Sequence, residues 1–272
     1  MVATPLGNLA DITLRALEVL RAVDVIAAED TRHSRRLLDA HGIDTRLLAL
    51  HEHNEQTAAG QLLRLLEAGQ QVALISDAGT PAISDPGARA VTRVREAGFR
   101  IVPIPGACAA IAALCASGFG ESGFHFNGFL PARSSARKAA LEALRAEKVP
   151  LVFYESPHRI AECLADIASV LEVEREIVVA RELTKLHEQV VRLPLAEVAA
   201  WLAADPNRSR GEFVLIVSAA PPSEGLDAQA ERVLRLLLAE LPVKTAARLA
   251  ARICDVPRNA LYARALELKA VL

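Results

Sequence analysis

Apolar positions recur with two different spacings over the first 116 residues. Runs with helical spacing, such as TLRALEVLRAV and QLLRLLEAG, are separated by short continuous apolar runs, such as DVIAA and QVALIS. Helices that alternate with short buried strands predict βαβ units around a mostly parallel sheet. Gly42, Gly69 and Gly98 each follow a helical run by one position, where a left-handed C-cap favours glycine.

The pattern changes at residues 117–123, a stretch of small residues that we interpret as a hinge between two domains. A second α/β pattern follows, with less regular strands that include plausible antiparallel pairs, and residues 219–225 are typical of a linker. The predicted organisation is an α/β fold with an N-terminal α/β domain over residues 1–117, a C-terminal α/β domain over 123–220 and a small helical unit over 226–272.

Composition and charge narrow the class of protein. The chain has 272 residues, of which 52% are hydrophobic and 24% charged, which is typical of a globular protein with a large core. The formal net charge of −2 argues against a general nucleic-acid binder, so any RNA contact must come from local patches. Charged residues or glycine interrupt the apolar runs before the roughly 20 residues that a membrane span needs. We therefore expect a soluble protein.

The four cysteines, Cys108, Cys115, Cys163 and Cys254, form no CxxC pair, and no signal peptide precedes them. Neither a zinc site nor a disulfide framework is indicated, and the compartment is predicted to be the cytoplasm. We interpret Cys108 and Cys115, which share one apolar helical run, as packing residues.

Three loops are candidates for ligand binding, because ligands of open α/β sheets bind beyond the carboxyl ends of the strands. Residues 4–8 are equally compatible with a plain turn. Residues 76–87, SDAGTPAISDPG, hold two Pro, two Gly, two Asp and two Ser, which favours a ligand loop over a connector. Asp77 is placed to accept hydroxyl or ammonium donors, whereas Asp85, which precedes a proline, is interpreted as a helix N-cap.

The third loop, residues 103–109, leads into an Ala-rich helix whose free amides suit a compact polar ligand. GxxxxGK[ST] does not occur in the chain, and GxGxxG occurs only as GFGESG at residues 118–123, which follows a helical run and not an apolar strand. Dinucleotide oxidoreductases and P-loop enzymes are therefore disfavoured.

Nine segments in chain order carry a resemblance to a known family. They are VATPLGNLADITLRALEVL, AAEDTRHSRRLL, HEHNE, VALISDAGTPAISDPG, PIPGACAAIAAL, GFLPARSSAR, FYESPHR, ARELTKLHE and GEFVLIV. Together they resemble the small-subunit rRNA methyltransferase group of the tetrapyrrole methylase superfamily. The resemblance spans about residues 2 to 219 and continues into the helical tail.

The resemblance implies two α/β domains of the tetrapyrrole methylase type with a cofactor cleft between them. It also implies S-adenosylmethionine as the cofactor, a homodimer, and 2'-O-methylation of a decoding-centre cytidine in 16S rRNA, either free or in the small ribosomal subunit. The cofactor-binding residues that it implies are Pro5, Asp77, Ala78, Gly79, Thr80, Pro81, Gly106, Ala107, Cys108, Ala109, Phe129, Leu130, Tyr154, Ala180, Arg181, Gly211 and Glu212. Cys108 stands where many members of the group carry serine.

Methyl transfer from a sulfonium is an in-line displacement, so the 2'-oxygen must be held in place and must lose its proton. Asp30, Glu182 and Lys185 are the predicted catalytic residues, and Glu29 and Glu155 are further candidates for the proton acceptor. Asp30 has an equally plausible role as the N-cap of the helix that begins beside it.

Clusters of basic residues are the predicted RNA contacts. Arg32, Arg35 and Arg36 have the spacing of one helical face. The full predicted set is Arg32, His33, Arg35, Arg36, Arg133, Arg137, Lys138 and Arg159.

Several alternatives stay open at this point. In HEHNE, His51, Glu52, His53 and Glu55 could hold a metal, but no distant third ligand is evident, so a polar cleft or capping role is favoured and no metal is predicted. The tail has helix-turn-helix spacing, with its second helix starting near Pro257, and packing or oligomer contact is favoured over DNA reading. Its basic residues, which could touch phosphate, are Lys244, Arg248, Arg252, Arg258 and Arg264. The rival functions are methylation of a tetrapyrrole macrocycle and DNA-binding regulation.

Overall fold

The structure is a computed structural model that describes residues 1–51, 55–120, 123–221, 228–254 and 256–270. The chain divides into two compact units, residues 1–219 and 220–272. No helix among the described residues is long and apolar enough to cross a membrane.

The first half of unit 1–219 is built around a parallel three-stranded sheet in the order β2-β1-β3. Its elements are α1 (Leu14–Ala22), β1 (Val25–Ala28), α2 (Thr31–Ala40), β2 (Arg46–Ala49), α3 (Glu55–Glu67), β3 (Val72–Ile75), α4 (Ala88–Glu96) and α5 (Ala109–Ser117). All four residues of β1 are buried, as expected for a continuous apolar strand covered on both faces. The predicted parallel sheet is confirmed.

The first residues of the chain lie between β3 and the segment around Ile104. The Val2 amide donates to the Leu74 carbonyl at 2.9 Å, and the Ile104 amide donates to the Met1 carbonyl at 2.8 Å. Thr4 and Gly79 then exchange two backbone hydrogen bonds, of 2.9 and 3.0 Å. The three loops singled out in the sequence therefore leave the sheet at the same edge.

The second half of this unit is a five-stranded sheet in the order β4-β5-β8-β6-β7. Its elements are β4 (His125–Phe129), α6 (Ser134–Leu144), β5 (Leu151–Glu155), α7 (Ile160–Val170), β6 (Glu176–Arg181), β7 (Gln189–Pro194), α8 (Val198–Ala203) and β8 (Phe213–Val217). Only β4 and β5 are parallel, and the other neighbours are antiparallel, as the sequence predicted for part of this half.

Helix α5 packs on this second sheet, although the sequence prediction assigned it to the first domain. Its residues Ala110 and Ala113 are buried against Val152, Val178 and Val214. Small side chains on α5 allow this close approach of helix and sheet. The division of residues 1–220 into two domains stays a prediction.

The second unit consists of α9 (Ala228–Glu240), α10 (Val243–Cys254) and α11 (Arg258–Ala270). Alanine dominates its core, which contains Ala230, Leu234, Ala246, Ala247, Ala250, Leu261 and Ala265. The predicted start of the last helix near Pro257 is confirmed.

Arg137 on α6 was predicted to contact RNA, and the structure contradicts this prediction. Its side chain has no exposed surface, and its Nε lies 2.7 Å from Asp166 Oδ2 on α7. The guanidinium also donates to the Ala132 carbonyl at 3.2 Å. Arg137 therefore joins α6 to α7 and is not available to a substrate.

We expect Arg137→Leu to lower the free energy of unfolding by about 3 kcal/mol, because it leaves the Asp166 carboxylate buried without its main partner. Arg133→Leu, at an exposed position on the same segment, is expected to change it by about 0.5 kcal/mol or less. Urea denaturation of both variants measures the difference. Equal losses would show that the Arg137 pair is not the cause.

Candidate active site

A cavity of about 350 Å³ opens between the two sheets of unit 1–219. Its lining comes from the predicted ligand loops and from the strand ends of the second sheet. The lining residues are Leu6, Ala78, Gly79, Thr80, Ile83, Ser84, Asp85, Cys108, Ala109, Phe129, Tyr154, Glu155, Ser156, Pro157, Ala180, Leu183, Glu212, Phe213 and Val214.

One wall of the cavity is the loop 76–87, which hydrogen bonds hold against the other two loops. The Thr4 hydroxyl donates to the Ser76 carbonyl at 3.0 Å, and the Thr80 hydroxyl donates to the Ala107 carbonyl at 2.9 Å. Gly79 has φ +79° and lies so close to Leu6 that a Cβ would be 3.3 Å from Leu6 Cδ2. Ala78, Gly79 and Thr80 of this loop line the cavity, where a glycine lets a ligand approach the backbone closely.

The same loop carries backbone strain. Ala82 and Ser84 have φ values of +68° and +64°, a left-handed conformation that costs a non-glycine residue about 1 to 2 kcal/mol. Ser84 also packs against Gly128 of β4, where a Cβ would lie 2.8 Å from the Ser84 hydroxyl oxygen. Such conformations cluster at ligand sites, where the surrounding structure maintains them.

The opposite wall is aromatic. Phe126 and Phe129 contact the Tyr154 ring edge to face, with centroids 5.1 and 5.8 Å away. The Tyr154 hydroxyl accepts a hydrogen bond of 3.1 Å from the Ala110 amide in the first turn of α5. Burial, and then the neighbouring Cys108, raise the pKa of Tyr154, so this hydroxyl stays protonated. The wall offers an apolar surface to a planar ligand.

Three carboxylates, Glu29, Asp77 and Asp85, meet where β1 and β3 end. Asp77 Oδ1 accepts a hydrogen bond of 3.0 Å from the Asp30 amide. Burial, and then the charges of Asp77 and Asp85, raise the pKa of Glu29 to about 7. Burial raises the pKa of Asp85 to about 6, although a hydrogen bond from Ser76 lowers it in part. Of the three, Asp85 lines the cavity, and the carboxylates beside it favour a cationic ligand or a proton at this end.

The interpretation of Asp85 as a helix N-cap was wrong. Helix α4 begins at Ala88, its N-cap is Gly87 with φ +124°, and no side chain caps it. The strained turn before Gly87 instead directs Asp85 to the cavity lining.

An ion-pair cluster of Glu182, Lys185 and Glu212 borders the cavity. Lys185 Nζ lies 3.0 Å from both Glu182 Oε1 and Glu212 Oε2. Glu182 has φ +51° and also accepts a hydrogen bond of 2.9 Å from the Glu212 amide. Two glycines make room for this cluster, because a Cβ at Gly7 would overlap Lys185 and a Cβ at Gly211 would overlap Glu182.

The structure brings only part of the predicted cofactor set to the cavity. The residues that line it are Ala78, Gly79, Thr80, Cys108, Ala109, Phe129, Tyr154, Ala180 and Glu212. The predicted residues outside its lining are Pro5, Asp77, Pro81, Gly106, Ala107, Leu130, Arg181 and Gly211.

Some residues outside the lining have evident structural roles. Leu130 is in the core at 2% exposure. Gly106 lies against Ala3, where a Cβ would come within 2.8 Å of the Ala3 Cβ. The Arg181 guanidinium donates to the carbonyls of Asn207 and Arg210 at 2.8 and 3.1 Å. These three residues therefore support the segments that form the cavity walls without lining the cavity themselves.

Sequence reasoning missed much of the lining. Ile83, Ser84 and Asp85 lie within the loop that its composition had already marked, so that signal was available. Phe213 and Val214 reach the cavity only because β8 inserts between β5 and β6. That pairing is non-local, so the segment GEFVLIV did not by itself indicate which strands would flank β8.

The predicted catalytic residues occupy different environments. Asp30 Oδ1 accepts hydrogen bonds from the Arg32 and His33 amides at 2.8 and 3.3 Å and caps α2, as the alternative interpretation proposed. Its side chain is 45% exposed and does not line the cavity. Glu182 and Lys185 border the cavity through their neighbours Leu183 and Glu212.

The predicted RNA contacts also divide. Those that are exposed are Arg32, His33, Arg36, Arg133 and Lys138. Arg35 donates to the Thr45 carbonyl at 3.4 Å and lies 3.7 Å from Asp44. Arg159 donates to the Leu130 carbonyl at 2.6 Å and pairs with the buried Glu155 at 3.2 Å, which makes it a structural residue.

Glu52 and His53, two of the four residues that were considered as metal ligands in HEHNE, lie outside the described residues. Within the described ranges, no three His, Cys, Asp or Glu side chains are arranged to hold a metal ion.

Comparison with known proteins identifies the class. The family model of the Tetrapyrrole (Corrin/Porphyrin) Methylases matches residues 1–199, and the chain belongs to this family. The model of the RsmI C-terminal HTH domain matches residues 224–269. A ribosomal RNA small subunit methyltransferase I from Escherichia coli O157:H7 is 56% identical over 98% of this chain and 94% of its own length. Within the family, the chain belongs to the ribosomal RNA small subunit methyltransferase I group, which confirms the resemblance inferred from the motifs.

Solved structures share the fold. A diphthine synthase has a TM-score of 0.63 at 17% identity and covers 80% of this chain and 88% of its own. A uroporphyrin-III C-methyltransferase from Thermus thermophilus, complexed with S-adenyl homocysteine, has a TM-score of 0.57 at 16% identity and covers 80% and 95%. The predicted tetrapyrrole methylase fold is confirmed.

We expect Gly7→Ala to destabilise the protein by about 1 to 3 kcal/mol, because its Cβ would overlap the Lys185 side chain. Gly60→Ala, in α3 where nothing lies within 4 Å, should stabilise by up to about 1 kcal/mol. Chemical denaturation compares the two. Adding Lys185→Ala to Gly7→Ala should recover part of the loss, and no recovery would place the strain elsewhere.

Proposed function

We propose that this chain transfers a methyl group from S-adenosylmethionine to the 2'-oxygen of a decoding-centre cytidine in 16S rRNA. Membership of the ribosomal RNA small subunit methyltransferase I group supports the coarser part of this function, methylation of small-subunit rRNA. The single observation that carries the chemistry is a cavity with an acidic end and an aromatic wall. A cytoplasmic homodimer is part of the same proposal.

The cavity residues fit S-adenosylmethionine. About 350 Å³ is within the usual range of small-molecule sites. The aromatic wall of Phe129 and Tyr154 suits an adenine ring, and the accessible backbone of Ala78 and Gly79 suits polar groups of the ribose and amino acid. Asp85 and Glu212 add negative charge to the lining, which favours a ligand that carries a sulfonium and an ammonium. When bound, the cofactor supplies the electrophilic methyl group.

We assign proton acceptance from the 2'-hydroxyl to Asp85. It lines the cavity, and its pKa of about 6 is close to working pH, where a general base is most effective. The carboxylate of Asp30, which was predicted to be catalytic, instead accepts hydrogen bonds from backbone amides and caps α2. Glu29, whose pKa burial and then the charges of Asp77 and Asp85 raise to about 7, does not line the cavity.

Glu182 and Lys185 are assigned as positioning residues. Burial lowers the pKa of Lys185, but its hydrogen bonds to Glu182 and Glu212 raise it, and the net pKa is above the usual value for lysine. The ammonium group therefore stays charged and cannot accept a proton. The pair holds Glu212 and the segment of Leu183 against the cavity.

Asp85→Asn is expected to lower kcat by about 100-fold or more, because general base catalysis contributes 10² to 10⁴. Cofactor affinity, measured by calorimetry, should change less than about tenfold. In the unmodified protein, kcat/KM should fall as pH drops through about 6, because only the ionised carboxylate accepts a proton. If the loss lies in cofactor affinity and not in kcat, Asp85 acts only by attracting the cofactor cation and is not the base.

The function itself is tested with radiolabelled S-adenosylmethionine and purified protein. Naked 16S rRNA, assembled small subunits and a uroporphyrinogen are offered separately, and the labelled nucleotide is mapped. We expect label on a cytidine ribose of the decoding centre. Label on the macrocycle alone, or on neither form of the RNA, would overturn the proposal.

A further inference from the structure

The C-terminal unit is basic in a chain that is acidic overall. Residues 220–272 contain eight Lys and Arg and six Asp and Glu, whereas the whole chain has a net charge of −2. The charges of this unit are not distributed evenly. Some basic side chains are neutralised within the unit, and others have no acidic partner among the described residues.

Helix α10 presents three basic side chains along one line. Lys244, Arg248 and Arg252 are spaced four residues apart and all are exposed, and we name them the basic stripe. The opposite side of α10 is buried in the alanine core, through Ala246 and Ala250. The stripe therefore faces solvent along nearly the whole helix.

None of the three stripe residues makes an ion pair with a residue that the structure describes, and the same holds for Arg258, the first residue of α11. Like charges four residues apart destabilise a helix slightly, since they are neighbours on its surface. An external anion would relieve the repulsion.

Helix α11 differs in this respect. Arg264 donates to Glu231 on α9 through Nε and Nη2, both at 2.8 Å, and to Glu267 through Nη1 at 2.7 Å. Arg235 also pairs with Glu231, at 2.8 Å. Arg264 is thus a structural residue that joins α11 to α9, and not a free cation.

We propose that the basic stripe of α10, extended by Arg258, binds the phosphate backbone of the rRNA substrate. This inference rests on the proposed function for its choice of nucleic acid. The contact is independent of sequence, because guanidinium and ammonium groups pair with phosphates, which carry no base information. Helix α11, at the position of the reading helix in a helix-turn-helix, has Arg264 tied to acidic side chains and is assigned no base contact.

A protein partner fits the stripe less well. Protein interfaces are enriched in aromatic residues, Met and Arg and depleted of Lys. The stripe consists only of Lys and Arg, as expected for contact with a polyanion.

The test uses the full-length triple variant Lys244→Gln, Arg248→Gln, Arg252→Gln. Binding to 16S rRNA is measured over a series of salt concentrations. Each lost phosphate contact reduces the salt slope by about 0.7 to 0.9, so the slope should fall by about 2 to 3 and affinity at 0.1 M salt by roughly 100-fold. The cofactor affinity and the melting temperature should not change, because the three residues are exposed and outside the cavity.

A matched pair of single variants compares an arginine of the basic stripe with an arginine that already forms an ion pair. Arg248→Gln should weaken RNA binding by about fivefold, whereas Arg235→Gln, the same change at an arginine already paired with Glu231, should have little effect. Arg248→Lys with Arg252→Lys keeps the charge and should retain most of the affinity.

Unchanged affinity and salt slope in the triple variant would overturn the inference. Loss of duplex DNA binding with rRNA binding intact would assign the stripe to DNA. Weaker binding to assembled subunits with naked rRNA unaffected would assign it to a protein partner, and either result contradicts the proposal. Failure of the proposed function is distinguishable, since it removes methyl transfer in the unmodified protein whatever the stripe does.

Discussion

The site depends on a short stretch of backbone pairing at the start of the chain. Residues 1–4 lie beside β3 and Ile104, and the reciprocal hydrogen bonds of Thr4 and Gly79 bind the first loop to the second. The Thr80 hydroxyl then attaches the third loop. The Thr4–Gly79 bonds join segments about 75 residues apart and the Thr80–Ala107 bond segments 27 residues apart, so three separate loops form one wall. The strained φ values of Ala82 and Ser84 persist only on such a support.

The acidic character of the cavity also depends on the sheet edge at which β1 and β3 end. Parallel strands β1 and β3 end together, which brings Glu29 and Asp77 close to each other. Asp85 joins them from the strained turn. After burial, the charges of Asp77 and Asp85 raise the pKa of Glu29, and the charge of Asp77 raises the pKa of Asp85. A group of carboxylates that resists full ionisation is suited to a cationic ligand and to proton transfer, and burial is the largest cause in both raised pKa values.

Much of the fold could be predicted from the sequence, and less of the site. Apolar periodicity predicted the βαβ units, and composition marked the loop 76–87, because both are local signals. Asp85 was misassigned since Asp followed by Pro is typical of a helix start, and the left-handed turn that moves the helix start to Ala88 has no sequence signal outside glycine. Arg137 was misassigned because the sequence shows its charge but does not show that it pairs with Asp166, 29 residues away. The contributions of Phe213 and Val214 depended on non-local strand order.

The Lys185 cluster has a consequence for motion. Its side chain lies along Gly7 of the first loop, while its ammonium joins Glu182 and Glu212 beside the second sheet. Leu183, in the same short segment, forms part of the cavity lining. Displacement of Leu183 from the cavity would therefore disturb the two ion pairs of Lys185 and its packing along Gly7 together. The shape of this part of the lining is thus coupled to Lys185, which does not itself line the cavity.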